Sequence, residues 1–208
     1  MKLNPKIFLA LQSLVPKHRV VFTISDLSNL FLSKTEVEIQ QKLKPFLKEK
    51  ILNRFCRGIY VAQNFDLEWL SQRICPDSAI SFGSALAKEM LIGSIPQKTV
   101  YAVKIGKTRI YKSPLGQIVH FGFAAAGKEL WFGYEMAKNG IRYADMEKAF
   151  LDTLYFYQKG RKFSFNIYSD IQVDRLNPKK LQKYLMQYKN PKFRTFVQGV
   201  LNEYHSIG

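Results

Sequence analysis

The chain has 208 residues, of which 47% are hydrophobic, so it can bury the core of one large domain or of two small ones. Its 32 lysine and arginine residues outnumber its 16 acidic residues, and the resulting charge of +16 is typical of proteins that bind nucleic acid or an anionic membrane. No apolar run approaches the roughly 20 residues of a bilayer span. The start of the chain is too short and polar for a signal peptide, which favours a cytoplasmic protein with no membrane partner.

The positive charge is concentrated at the two ends of the chain. Residues 1–62 carry a net charge of +7, residues 63–158 carry +2 and residues 159–208 carry +7. Lysines that only kept the protein in solution would not need this distribution, although chance clustering is an alternative explanation.

The first part of the chain predicts three helices. Residues 5–15 have a proline at the first helical position and apolar side chains at helical spacing. Ser25 is expected to cap a short second helix that ends near Phe31. Ser33 and Glu36 have the spacing of a capping box, so a third helix is expected to begin directly after Ser33.

A hairpin is predicted after the third helix. Residues 51–55 and 59–61 are rich in β-forming side chains, and they flank Gly58, which can take a positive φ in a tight turn. Helices followed by such a hairpin predict a winged helix-turn-helix in residues 1–62, a unit that binds DNA. The alternative is an ordinary helical pair and hairpin within an α+β core.

The expected DNA contacts follow from the winged-helix interpretation. The third helix enters the major groove with its polar side, and the hairpin holds phosphate or reaches into the minor groove. Pro45 is expected to kink or restart that helix. Glu38 would repel phosphate but could accept a hydrogen bond from a cytosine amino group. The expected contact residues are Lys34, Glu38, Gln41 and Lys42 on the helix, Arg54 and Arg57 on the hairpin, and Lys17 and Arg19 before the helix-turn-helix.

The second part of the chain predicts an α+β domain in residues 76–208, joined to the first part by a connecting helix within residues 63–75. Its strands resemble an antiparallel meander, so we expect a mainly antiparallel sheet followed by C-terminal helices. Asp145 is a candidate N-cap. The expected strands are 99–105, 109–112, 117–124, 130–134 and 141–144, and the expected helices are 66–74, 80–90, 146–158, 178–188 and 191–204.

Four charged residues could carry phosphodiester chemistry, because Asp145, Glu147, Lys148 and Asp152 lie within eight positions and such groups can hold Mg²⁺. Their helical spacing does not bring them together on one side. A helix cap, a helix-dipole acid and surface or interdomain ion pairs explain them better than a nuclease site.

Other catalytic and metal-binding signatures are not found in the sequence. Cys56 and Cys75 have neither CxxC spacing nor a nearby histidine, which predicts reduced thiols and no metal. The three histidines are scattered, and no phosphate-binding glycine loop or nucleophile motif occurs. We therefore expect a protein that is not an enzyme and has no cofactor.

Two further surfaces have open interpretations. The aromatic side chains of the meander could form a base-stacking platform, but alternating aromatic residues on strands are more often core. The basic C-terminal residues could extend the DNA footprint, meet an acidic protein partner, or form only a solvated face. They are Lys179, Lys180, Lys183, Lys189, Lys192 and Arg194.

Four segments together resemble a known family, and the resemblance extends from about residue 15 to residue 200. They are RGIYV (57–61), ISFGSAL (80–86), TVYAVKI (99–105) and YADMEKAFLDTLYF (143–156), of which the last is similar to the family pattern A-x-x-EKA-x-x-D-x-LY. The family is that of the AbiEi-type antitoxins of type IV toxin–antitoxin systems.

The resemblance implies a repressor with two parts. The N-terminal winged helix would repress its own operon by binding operator DNA with inverted repeats, and the C-terminal domain would neutralise a cognate nucleotidyltransferase toxin. The alternatives are a stand-alone winged-helix repressor without a toxin partner and, more remotely, a Mg²⁺-dependent nuclease.

Overall fold

The fold is α+β. The computed structural model describes residues 5, 8, 9, 11, 12, 19–93 and 98–207, and the first five of these residues are helical. Among the described residues, no helix is both long enough and apolar enough to cross a membrane. Two sheets organise the chain, a small one near the N-terminus and a large one in the second half.

The N-terminal unit consists of a helix pair between a strand and a hairpin. The three strands pair antiparallel in the order β1-β3-β2, and Gly58 turns the hairpin with a φ of +76°. The expected hairpin and its turn are therefore confirmed. The elements are β1 (Val21–Thr23), α1 (Ile24–Phe31), α2 (Glu36–Lys48), β2 (Asn53–Cys56) and β3 (Ile59–Val61).

Both helix caps differ from those expected. Thr23, not Ser25, caps α1, because its hydroxyl and the Asp26 carboxylate form a reciprocal capping box. Thr35, not Ser33, caps α2. In both cases the extended backbone that a cap needs lies two residues away from the expected position, where the neighbouring strand or turn ends.

The proline in α2 does not end the helix. α2 continues through Pro45 to Lys48, so the expected restart at this position was wrong. Pro45 is buried beside the apolar side of the helix. Its packing stabilises the helical backbone despite the hydrogen bond that the missing amide removes.

The large sheet has strand order β6-β7-β5-β4-β9-β8. Its pairing is mixed, because β5 with β7 and β4 with β9 run parallel, which corrects the expected meander. Part of the expected helix 80–90 is strand β4. The expected strand 130–134 is irregular between its ends, because Leu130 closes a 3₁₀ helix, Ala125–Leu130, and the strand begins only at Tyr134. The strands are β4 (Ala79–Ile80), β5 (Thr99–Ile105), β6 (Arg109–Ser113), β7 (Gly116–Phe123), β8 (Tyr134–Met136) and β9 (Arg142–Ala144).

The connection from β5 to β6 crosses β7 at Gly122. β7 lies between the other two strands, so residues 106–108 must pass over its end. A Cβ on Gly122 would lie 1.9 Å from the Gly106 carbonyl oxygen, while the Gly122 amide donates to the Thr108 hydroxyl at 3.0 Å. Only a residue without a side chain permits this close crossing.

Helices cover both faces of the large sheet. On one face α4 to α7 pack over Val103, Val119 and Phe121. The aromatic side chains of the sheet on this face belong to the hydrophobic core. The structure therefore does not support a base-stacking role for Phe121. The other face carries α3. The helices are α3 (Leu67–Ile74), α4 (Phe82–Lys88), α5 (Met146–Gln158), α6 (Pro178–Leu185) and α7 (Pro191–Ile207).

The two halves share one apolar cluster, and α3 lies at its centre. Arg73 of α3 also forms an ion pair with Asp26 of α1. The connecting helix predicted within residues 63–75 therefore holds the N-terminal unit against the large sheet. The cluster includes Val21, Phe55 and Val61 from the small sheet, Leu70 from α3, and Ile80, Val100, Ala102, Ile118 and Tyr143 from the large sheet.

A buried ion pair joins α5 to its surroundings. Lys148 Nζ contacts Asp152 Oδ1 at 2.6 Å and donates to the Tyr188 hydroxyl at 3.0 Å, and neither charged side chain is exposed. The other oxygen of Asp152 accepts from Ser81 at 2.7 Å and from Tyr134 at 2.9 Å. The ammonium group lies within cation–π distance of the rings of Phe123, Phe132, Tyr134 and Tyr188.

This network corrects the interpretation of Lys148 and Asp152 as surface or interdomain ion pairs. Burial lowers the pKa of Lys148 and raises that of Asp152, while their mutual attraction opposes both shifts. Because both groups are enclosed by side chains, the arrangement offers no access to a polynucleotide.

A second buried polar pair lies between α3 and β7. Ser71 Oγ and His120 Nε2 are 2.8 Å apart, and both side chains are fully buried. Burial, together with the charge of Lys104, lowers the pKa of His120 from 6.5 to about 4. His120 is therefore neutral in the folded protein at pH 7.

The buried histidine predicts that acid weakens the fold. Between pH 6.5 and pH 4 the unfolded chain binds a proton at His120 that the folded chain does not, so stability is present above pH 6.5 and falls as the pH falls. The slope from this residue is about 1.4 kcal/mol per pH unit. Urea unfolding of His120→Gln over the same pH range should show a slope smaller by about one proton, and an unchanged slope would contradict the prediction.

Candidate nucleic-acid interface

The outward face of α2 is defined by four side chains at helical spacing. Val37, Gln41, Lys44 and Lys48 are all exposed and follow each other at about one turn. The opposite side of α2 is buried in the N-terminal unit. Lys34, in the turn before the helix, is also exposed. The structure thus presents a polar and cationic helix face to solvent.

Lys42 does not belong to this outward face. Its ammonium group donates to the Phe31 carbonyl oxygen at 2.7 Å and to the Ser33 hydroxyl at 2.9 Å. These contacts tie α2 to the C-terminal end of α1 and to the turn between the helices. Its charge thus satisfies backbone and hydroxyl acceptors within the protein, and the expected contact of Lys42 with DNA stays a prediction.

Arg19 is also engaged within the protein. Its guanidinium carbon lies 4.3 Å from the centre of the Trp69 ring, and it donates to the carbonyl oxygen of Asn139. Arg19 therefore links the start of the N-terminal unit to α3 and to the large sheet, and because its side chain is exposed, its expected contact with DNA stays a prediction. Lys17 lies outside the described residues.

The hairpin turn lies beside the two helices. The Gly58 carbonyl oxygen accepts from the Ile24 amide at 2.8 Å, which fixes the turn against the start of α1. Exposed Arg57 lines a groove between α1 and α2 together with polar side chains of both helices. Arg54 is exposed on β2. The groove residues from the helices include Ser25, Ser28, Asn29 and Glu36.

The two glutamates of the first turn of α2 have an evident structural role. Glu36 and Glu38 are exposed beside the positive end of the helix dipole, where acidic side chains stabilise a helix. Glu38 lies to one side of the outward face. Phosphate is therefore better accommodated near the C-terminal half of α2 than near its start.

Two residues of the outward face are not among the expected DNA contacts. Lys44 and Lys48 lie three and seven positions after Gln41, and the helical spacing that placed Gln41 outward would have included them. The continuous helix brings both lysines onto the same side as Gln41.

The basic C-terminal residues are partly engaged. Lys180 lies 3.1 Å from Asp145 and 3.0 Å from Glu147, and Lys189 pairs with Glu129. Arg194 donates to backbone carbonyl oxygens after α6. The remaining members of this group, Lys179, Lys183 and Lys192, are exposed.

Potential metal ligands are not grouped in the part of the chain that the structure describes. No group of three or more histidine, cysteine, aspartate or glutamate side chains there is arranged to hold a metal ion. Cys56 and Cys75 are free thiols and both are half-buried.

The comparisons with known proteins show a similarity of fold alone. No protein-family model and no curated protein matches the sequence. The crystal structure of the RV2827C protein from Mycobacterium tuberculosis is similar, with a TM-score of 0.60 over 98% of this chain and 79% of that one. The two sequences are 13% identical, so the likeness concerns the fold alone.

Proposed function

We propose that the N-terminal unit is a winged helix-turn-helix that binds double-stranded DNA, with α2 in the major groove and the hairpin as the wing. The element order strand, helix, helix and hairpin supports this proposal, as does the strand order β1-β3-β2. The main support for DNA binding is the outward face of α2, where Gln41, Lys44 and Lys48 are exposed, together with the exposed Arg57 of the hairpin. In this arrangement Arg57 and the lysines contact phosphate.

The proposal extends to an antitoxin that represses its own operon. The family resemblance of residues 57–61, 80–86, 99–105 and 143–156 supports this extension, and it assigns residues 76–208 to the neutralisation of a nucleotidyltransferase toxin. The second candidate is a stand-alone repressor whose C-terminal half only packs against the N-terminal unit. A neighbouring gene for a nucleotidyltransferase would favour the antitoxin.

The antitoxin proposal must be tested with the full chain, because the two halves share one apolar cluster. Removing either half would expose the apolar cluster around α3, so the full chain should be co-expressed with the candidate toxin. Rescue of growth by a full-length variant that no longer binds DNA would support neutralisation independent of repression. Loss of rescue in the same variant would favour an indirect route through the operon.

The DNA-binding proposal is tested with the DNA upstream of the gene itself. The full chain should bind a fragment of this DNA in the presence of excess unrelated competitor, and affinity should fall with salt in proportion to the number of phosphates contacted. Binding that survives the competitor supports a sequence-specific regulator. Binding that the competitor removes entirely would contradict the proposal, because the charge of +16 then acts without sequence preference.

A further inference from the structure

The start of α2 carries an exposed apolar side chain that the fold does not use. Val37 is the second residue of the helix, and 67% of its surface is exposed. A single exposed valine is ordinary on a protein surface. Its place is informative here because it lies on the outward face, one helical turn before Gln41, at the part of a recognition helix that reaches base edges.

We infer that α2 reads a thymine methyl group with Val37 and a nearby adenine with Gln41, so that the DNA site contains two A·T pairs within about two steps of each other. This inference rests on the proposed function. In the major groove the C5 methyl of thymine is the apolar group that a valine can contact, while the amide of glutamine pairs with N6 and N7 of adenine.

The spacing of the two side chains fits neighbouring bases. Val37 and Gln41 are four residues apart, which is about 6 Å along the helix axis. Successive base pairs are separated by about 3.4 Å. The two side chains therefore reach bases within about two steps of each other.

The charges around the pair support this division of roles. Glu36 and Glu38, on either side of Val37, disfavour a phosphate at the start of the helix. Lys44 and Lys48 lie further along the same outward face, where they can hold the backbone that borders the groove. The N-terminal half of α2 thus faces bases, and its C-terminal half faces phosphate.

The experiment begins with selection of bound duplexes from a random-sequence library by the full chain. Each thymine of the selected site is then replaced by deoxyuridine, which removes only the methyl group. Wild-type protein should lose about fourfold in affinity at one position, as expected for one buried methyl group. Val37→Ala should bind the thymine and deoxyuridine duplexes equally.

Gln41 provides the second measurement. Gln41→Ala should lose about tenfold in preference for adenine over guanine at a position within two steps of that thymine. Met186→Ala, which truncates an exposed apolar residue after α6, is the matched control and should retain both preferences.

The outcomes separate the inference from the function on which it depends. If wild-type protein selects no sequence from the library, the proposed function itself fails. If it selects a site but deoxyuridine has no effect at any thymine, or has the same effect on Val37→Ala, the base assignment is overturned while DNA binding stands.

Discussion

Replacing Asp152 by alanine is expected to lower the free energy of unfolding by about 3–5 kcal/mol, which is a large part of the stability of a typical protein. The substitution leaves the buried ammonium of Lys148 without the carboxylate that it contacts at 2.6 Å. It also removes the acceptor of the Ser81 and Tyr134 hydroxyls. Urea unfolding followed by tryptophan fluorescence measures the change, because Trp131 lies 4.5 Å from the Tyr134 ring.

Two control variants separate the lost ion pair from a general effect of substitution. Asp174→Ala removes an exposed aspartate and should change stability by less than about 0.5 kcal/mol. The double variant Lys148→Met with Asp152→Leu removes both charges and should be more stable than Asp152→Ala alone, because no unpaired charge remains buried. A cost below about 1 kcal/mol for Asp152→Ala would show that the ion pair is not essential to the core.

Reversing two charges on the outward face of α2 is expected to have the largest effect on DNA binding. Lys44→Glu with Lys48→Glu should weaken affinity on the order of 100-fold at physiological salt and reduce the salt slope by about two phosphates. Both side chains are exposed, so thermal unfolding should change little. Fluorescence anisotropy with labelled upstream DNA across a salt series gives both quantities.

A charge-matched variant provides the control for this reversal. Lys179→Glu with Lys183→Glu changes the net charge by the same amount at exposed positions of α6. If α2 is the interface, this control should keep a salt slope close to that of wild-type protein. Equal losses of affinity in the two double variants would mean that DNA binding depends on the total charge of the protein. The assignment of the interface to α2 would then be wrong.

One of the four segments that carry the family resemblance is explained by packing. Within residues 143–156, Lys148 and Asp152 form the buried ion pair, and Glu147 accepts from the Asn177 amide at 2.8 Å. The Asp145 carboxylate caps α5 by accepting from the Lys148 amide. The motif therefore specifies how α5 is held in the fold.

The sequence determined the features that depend on residues a few positions apart. The hairpin turn at Gly58 and the helix from Met146 to Gln158 with its Asp145 cap lie where they were predicted, because a positive φ and a capping carboxylate act locally. Net charge and its concentration at the two ends were readable without any structure.

The tertiary structure decided the features that depend on distant partners. The parallel pairing of β5 with β7 requires the crossing at Gly122, which strand patterns do not encode. Lys148 looks like a surface residue until its partner and the surrounding aromatic rings are placed. Lys42 is directed into the protein for the same reason, since its acceptors lie 9 and 11 residues earlier in the chain. A charged side chain is free for DNA only if the fold supplies no nearer acceptor, and that depends on long-range contacts.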